Sequence, residues 1–157
     1  MAKKTYNQKL NTPGDLPKVV DITDNITYVN RYGGDKMLIA APMQYSAIME
    51  SVPMGKLITS DRMRDYLARN AGADVTCPLT AGIFINVCAY AAIERLDLDF
   101  PWWRTLKSKG ELNDRFPGGC EAQKKVLEVE GFKVIQKGKK YFVEDYENYM
   151  WSFVSDK

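Results

Sequence analysis

Pro78-Leu-Thr-Ala-Gly-Ile-Phe-Ile-Asn-Val-Cys-Ala-Tyr-Ala-Ala-Ile-Glu-Arg95 is apolar nearly all round. Ile83, Phe84, Ile85, Val87, Cys88, Tyr90 and Ile93 leave a helix no polar face to turn to water, so a helix here belongs at the centre of a core. The run meets Glu94-Arg95 before it reaches the ~20 apolar residues of a membrane span. Pro78 or Leu79 begins this helix, and proline suits a first helical turn. Upstream, Thr59 or Ser60 caps a helix over residues 61–70, where Met63, Tyr66 and Leu67 recur at helical spacing and face inward. Arg62, Arg64, Asp65 and Arg69 are left for water, and Ala71-Gly72 ends the helix. Two helices joined by a short loop predict a relative of the helix-turn-helix.

On either side of this pair, helical and extended pieces alternate. Residues 36–41 read as a short strand, and Pro42 opens a helix over 43–51 with Ile48 and Met49 on its apolar face. Val52-Pro-Met-Gly-Lys-Leu-Ile-Thr59 is a turn followed by a short extended piece. Residues 1–36 are rich in turn formers (Asn11-Thr-Pro-Gly14, Pro17, Tyr32-Gly-Gly-Asp35) and hold one weak strand at 19–22. They predict an irregular arm packed on a single domain over 37–157. Downstream, residues 103–106 as a strand, Lys107-Ser-Lys-Gly110 as a turn and Glu111-Leu112 as the return predict a small wing. A loop at 116–119 precedes a helix over 121–130, ended by Gly131 in the C′ position. Residues 132–136 and 141–143 flank Lys137-Gly-Lys-Lys140 as a β-hairpin, and 145–153 read as a short aromatic helix. The fold class is α+β: a winged helix-turn-helix-like domain with an N-terminal arm and a C-terminal β-hairpin plus short helix.

The chain has 157 residues, 45% apolar and 27% charged, enough for one domain with its own core. Its net charge of +2 does not by itself declare a nucleic-acid partner. Cations must gather locally to attract phosphate. The sequence contains no histidine. That removes Ser–His and Cys–His nucleophile schemes and any zinc site that needs imidazole. Cys77, Cys88 and Cys120 have no metal-like spacing, and their odd number fits a reducing cytoplasm. Met1-Ala-Lys-Lys-Thr-Tyr-Asn7 lacks the apolar run of a signal peptide. The expectation is a cytoplasmic monomer without metal, cofactor or membrane association.

Several pieces line up in order. They are Val52-Pro-Met-Gly-Lys-Leu-Ile-Thr59, the two helices, Pro101-Trp102-Trp103-Arg104, the wing ending near Gly110, Gly118-Gly119, and Gln123-Lys-Lys-Val-Leu-Glu-Val-Glu-Gly131. Over residues 43–132 this order resembles the DNA-binding domain of the methylated-DNA–protein-cysteine methyltransferase family, the C-terminal domain of alkylguanine-DNA alkyltransferases. In that family a Pro-Cys-His-Arg motif follows the helix-turn-helix, and its cysteine takes the alkyl group from a damaged guanine. The alkyltransferase-like branch has tryptophan in place of that cysteine. Trp102 stands at that position, Trp103 at the histidine, Arg104 at the arginine and Glu130 at the histidine's glutamate partner.

The resemblance implies a non-catalytic protein that recognises alkylated or modified guanine in double-stranded DNA and signals to other repair proteins. It implies Pro101, Trp102, Trp103, Arg104 and Glu130 at the lesion. Along the DNA backbone it implies Lys56, Ser60, Arg62, Arg64, Thr80, Lys107, Lys109, Gly118 and Gly119. Two departures stand out. Family members turn the damaged nucleotide out of the duplex with an arginine on the second helix, whereas here that helix opens Leu79-Thr80-Ala81-Gly82 and has no arginine before Arg95. The tyrosine usual just after the Gly-Lys turn is Ser60.

The chemistry of these residues leaves alternatives open. An indole at Trp102 can stack on an extruded base, worth about 1–3 kcal/mol, or both tryptophans can seal the core beneath the wing. Arg104 can hold a phosphate or pair with Glu130. Lys107, Lys109, Lys137, Lys139 and Lys140, with Arg62, Arg64 and Arg69, can touch phosphate or form solvated surface. Gly118-Gly119 can cradle a phosphate at a helix start or make a tight turn. Cys77 and Cys120, also at helix starts, are the acceptor candidates of an active methyltransferase. A third alternative is a protein- or small-ligand-binding module that kept the fold and lost DNA contact.

Overall fold

Helix α5 (Pro78–Glu94) carries the core in a computed structural model that describes residues 3–152. Ala81, Ile85, Val87, Cys88, Ala89, Ala91 and Ala92 are buried along it. Its small residues let α1 (Tyr6–Asn11), α3 (Pro42–Ser51) and α4 (Ser60–Ala71) pack closely against it. Tyr45, Met49, Met63 and Phe100 complete this first core.

Residues 3–36 are not irregular. They form α1, strand β1 (Lys18–Asp21) and helix α2 (Ile26–Tyr32). Strand β2 (Lys36–Ile39) pairs antiparallel with β1 and parallel with β4 (Val75–Thr76). Thr5 caps α1 by accepting the Gln8 N–H, and the Gln8 side chain reaches back to the Thr5 N–H. Six residues are too few for a helix to hold alone, and α5 supplies the rest. The Glu94 carboxylate accepts the N–H groups of Tyr6 and Asn7 at 3.1 Å each, and the Asn7 side-chain amide at 2.8 Å. The Tyr6 ring stacks on Tyr90 at 4.9 Å, and Leu10 is buried.

A second, smaller core holds Leu57, Leu106, Leu112, Leu127, Phe132 and Val143. It lies under helix α6 (Gly119–Val129) and the hairpin of β6 (Val134–Lys137) and β7 (Lys140–Val143). The two sides of the expected wing meet through one hydrogen bond, Lys107 N–H to the Glu111 carbonyl at 2.8 Å. Each side then pairs elsewhere. Strand β5 (Thr105–Leu106) runs parallel to β3 (Ile58–Thr59), and Glu111 bridges to Phe142 of β7. Burial of both Leu106 and Leu112 in the second core explains this, because each must turn inward rather than face the other across a free ribbon. Gly110, at φ +80°, closes the turn where an added Cβ would come within 2.5 Å of the Tyr146 ring.

The expected helix over 145–153 is a 3-10 turn, Tyr146–Tyr149. The backbone then leaves it to exchange hydrogen bonds with Leu57, which donates to the Tyr149 carbonyl and accepts from the Trp151 N–H, both at 2.8 Å. Phe153 lies outside the described residues. Among the described residues no helix is long and apolar enough to cross a membrane.

Hydrogen bonds from Asn7 hold the Glu94 carboxyl below its usual range, so its stabilisation of α1 is full at neutral pH and is lost as pH falls through that lowered value. Hydrogen exchange should therefore show α1 amides losing protection on acidification while α5 amides keep theirs. Glu94→Ala should expose α1 in the same way at neutral pH.

Candidate nucleic-acid interface

Pro101-Trp102-Trp103-Arg104 folds as a buried 3-10 turn between the two cores. Trp102 is 7% exposed and meets the rings of Trp103 and Phe116 edge-on, at 5.7 and 5.6 Å. Trp103 packs against both cores, and among the described residues its buried Nε1–H has no hydrogen-bond partner. Arg104 is buried with Glu130 as its partner. Its Nε donates to Glu130 Oε1 at 2.9 Å and its Nη2 to Oε2 at 2.6 Å, a bidentate pair, while Nη1 donates to the Val52 carbonyl at 2.8 Å. The guanidinium also lies 5.6 Å from the centre of the Trp103 ring.

Gln123, fully buried on α6, fixes the next stretch of chain. Its Nε2 donates to the carbonyls of Trp103 and Thr105 at 3.1 and 3.0 Å, and its Oε1 accepts the Asn113 N–H at 2.8 Å. Asn113 in turn donates to Asn86 of α5 at 2.9 Å. Sequence reasoning passed over Gln123. The available signal was a polar residue one helical turn before Leu127 on the inward face of α6.

These ties shape a cleft of about 260 Å³ between the start of α4, the first half of α5, the 105–108 segment and the 113–115 loop. Three cations line it, Arg64, Lys107 and Arg115, against one carboxylate, Asp114. Among the described residues Arg64 and Arg115 make no ion pair, and Lys107 reaches Glu111 only at 3.7 Å. Ser60 and Asn86 add polar side chains. Thr105 also lines the cleft; it is 1% exposed and, among the described residues, its hydroxyl has no hydrogen-bond partner. A buried polar group left so costs about 1–3 kcal/mol.

The sequence-derived residues divide between the cleft, the core and the outer surface. Ser60, Arg64 and Lys107 converge on the cleft. Pro101, Trp102, Trp103, Arg104 and Glu130 are not in its lining; they form the packing behind it. Arg62 is exposed on another side of α4, in a hollow shared with Asp65, Arg69 and Asp74. Thr80 is half-buried, its hydroxyl 3.5 Å from the Cys77 carbonyl. Lys56 is exposed on the turn before β3.

Lys109 is exposed and faces a larger hollow of about 630 Å³ beside the hairpin, where Glu144, Asp145 and Glu147 make a poor home for phosphate. Of the hairpin lysines, Lys140 approaches Glu111 at 3.9 Å and Lys137 lies over the Phe142 ring. Gly118 and Gly119 make a tight turn at the start of α6, Gly118 as its N-cap and Gly119 as its first residue. The Gly119 N–H is already donated to the Phe116 carbonyl at 2.8 Å, and a Cβ on Gly118 would come within 2.5 Å of that of Ala122.

Two of the three thiols are held from ionising by their surroundings. Burial pushes Cys88 up to about 12. Burial, then Asp114 and Glu111, raises Cys120. Cys77 is half-buried at the cap of α5 and does not line the cleft. Among the described residues no group of acidic side chains and thiols could hold a metal ion.

No family model matches the sequence, and no curated protein does. Solved structures similar to it include two DNA complexes. One is S. pombe Atl1 in complex with damaged DNA containing O6-carboxymethylguanine, at 24% identity and a TM-score of 0.49, over 71% of this chain and 94% of that chain. The other is S. pombe ATL in complex with DNA, at 24% identity and a TM-score of 0.47, with the same coverage.

Removing Glu130 leaves the Arg104 charge buried without its counterion. Glu130→Ala should cost about 3–5 kcal/mol in urea unfolding, and Arg104→Lys should lose much of the pair too, since an ammonium cannot make the fork.

Proposed function

We propose that this chain is a non-catalytic, alkyltransferase-like protein that binds double-stranded DNA and recognises a modified guanine, marking it for other repair proteins in the cytoplasm. The observation that carries the reading is the cleft: three cations against one carboxylate around an unbonded, buried Thr105 hydroxyl. At about 260 Å³ it lies near the small end of ligand sites, a size for one planar base. Residues 37–157 carry this interface, and the arm of 1–36 braces the far end of α5. Ser60, Arg64 and Lys107 serve the backbone around the cleft, joined by Lys56, Arg62, Thr80 and Lys109 on its approaches and by the Gly118-Gly119 turn. Pro101, Trp102, Trp103, Arg104 and Glu130 serve the lesion by setting the position of Thr105, with Trp102 filling the place a nucleophile would need. The indole offers no thiolate, and the raised Cys88 and Cys120 thiols stand against alkyl transfer to those residues.

Fluorescence anisotropy with a duplex carrying a single O6-alkylguanine, against the same duplex with guanine, tests this. Tighter binding of the modified duplex is expected, with affinity falling steeply as salt rises. Arg64→Ala and Arg115→Ala should each flatten the salt dependence by about one unit of slope. Equal and negligible affinity for both duplexes at low salt would sink the reading.

Thr105→Val separates base recognition from backbone binding. It should leave affinity for the plain duplex unchanged, reduce the preference for the modified one severalfold, and raise folding stability by about 1 kcal/mol. A variant that keeps the full preference removes Thr105 from recognition.

A further inference from the structure

We propose that helix α2 pairs antiparallel with the same helix of a second copy of the chain, so that the protein is a dimer in place of the monomer expected from its sequence. The proposal does not depend on the DNA-binding reading. Helix α2 has seven residues and buries none of them. Local signals start and stop it. The Asn25 side chain accepts the Tyr28 N–H at 3.1 Å, and Gly33, at φ +78°, donates its N–H to the Val29 carbonyl at 2.9 Å. Caps alone do not hold so short a helix in water, where most helical stability comes from packing an apolar face.

Helix α2 has such a face. At about 100° per residue, Tyr28, Tyr32, Val29 and Ile26 take successive directions around the helix and leave Thr27, Asn30 and Arg31 on the other side. The Tyr28 and Tyr32 rings meet edge-on at 5.7 Å, which sets them together. Yet Ile26 is 67% exposed and Tyr28 43% exposed, while Val29 and Tyr32 are half-buried. An apolar stripe of this width ordinarily faces a core. None of residues 18–36 lines the cleft, so pairing here leaves the cleft free.

Charge decides the occupant. Lys18 is paired with Asp15 at 3.0 Å and Lys36 with Asp21 at 2.7 Å, so among residues 18–36 phosphate finds Arg31 as the remaining cation. A helix lying on a membrane is rich in lysine and arginine on its polar side, whereas α2 carries Arg31 alone there. A second copy fits better. Asp24 and Arg31 are exposed at opposite ends of α2, and neither has an ion pair among the described residues. The Arg31 guanidinium lies 5.6 Å from the centre of the Tyr32 ring, at the rim of the apolar face. An antiparallel pair about a two-fold axis joins the apolar faces and sets each Asp24 beside Arg31 of the partner subunit. A parallel pair would set like charges together.

Sedimentation velocity of the full chain over a concentration series tests this. The interface is small, so a monomer–dimer equilibrium with a Kd on the order of 100 µM is expected. Ile26→Asp, a change at an exposed position, should hold the chain monomeric. Asp24→Arg and Arg31→Asp should each weaken the dimer about tenfold by opposing like charges, and the double variant should restore it. Hydrogen exchange of the α2 amides should slow as the wild-type chain dimerises. A wild-type chain that stays monomeric well above that concentration overturns the proposal. A dimer indifferent to Ile26→Asp lies elsewhere on the molecule, and a double variant no better than the single ones removes the antiparallel pairing; either result overturns it. A monomeric wild type whose binding to duplex DNA or to anionic vesicles is lost in Ile26→Asp assigns the face to DNA or lipid, and that also overturns it.

Discussion

Arg104 brings a positive charge into the interior, and the rest of the site is arranged around the need to pair it. Two of its N–H groups engage Glu130 and a third the Val52 carbonyl. One side chain thus ties the 3-10 turn at 102–104 to the end of α6 and to the residue that follows α3. A buried ion pair is a modest contributor to net stability, because desolvation offsets much of the attraction. Its consequence here is geometric. The bidentate fork accepts one orientation, and Trp103, packed on both cores, holds the guanidinium from the side.

That anchoring fixes what comes next in the chain. Thr105 leaves the 3-10 turn in a strand paired with β3, its carbonyl is held by Gln123, and its hydroxyl is buried behind the cleft wall without a hydrogen-bond partner among the described residues. The opposite wall is α5, held to the 113–115 loop through Asn86 and Asn113. The cleft is therefore framed on two sides by segments tied through side-chain hydrogen bonds. The tryptophans serve this frame from behind. Trp102 packs edge-on against the rings of Trp103 and Phe116 there.

Much of the fold was legible because it is written in local pattern. The all-apolar run from Pro78, the spacing of Met63, Tyr66 and Leu67, and the glycine after α6 each announce an element within a few residues. The hairpin at 134–143 follows from a glycine between two apolar pieces. What failed was non-local. Helix α1 is six residues long and leans on Glu94, more than eighty positions away, so only its Thr5–Gln8 cap was visible in the sequence. The wing reads as a hairpin until the second core draws its two sides toward β3 and β7. The aromatic stretch after Asp145 has helical spacing, but its backbone is taken by Leu57. The site divides in the same way. Arg64 and Lys107 could be proposed from the chain alone, whereas Arg115, Asn86 and Thr105 become partners only when three distant segments meet.

The most direct measurement is the backbone amide NMR spectrum of the chain titrated with a duplex carrying a modified guanine. If the cleft is the interface, the largest shifts fall on Ser60, Arg64, the first two turns of α5, the 105–108 segment and the 113–115 loop, with α1 and β1 unmoved. Shifts confined to the basic hairpin at 134–143, or to none of these segments, would contradict it.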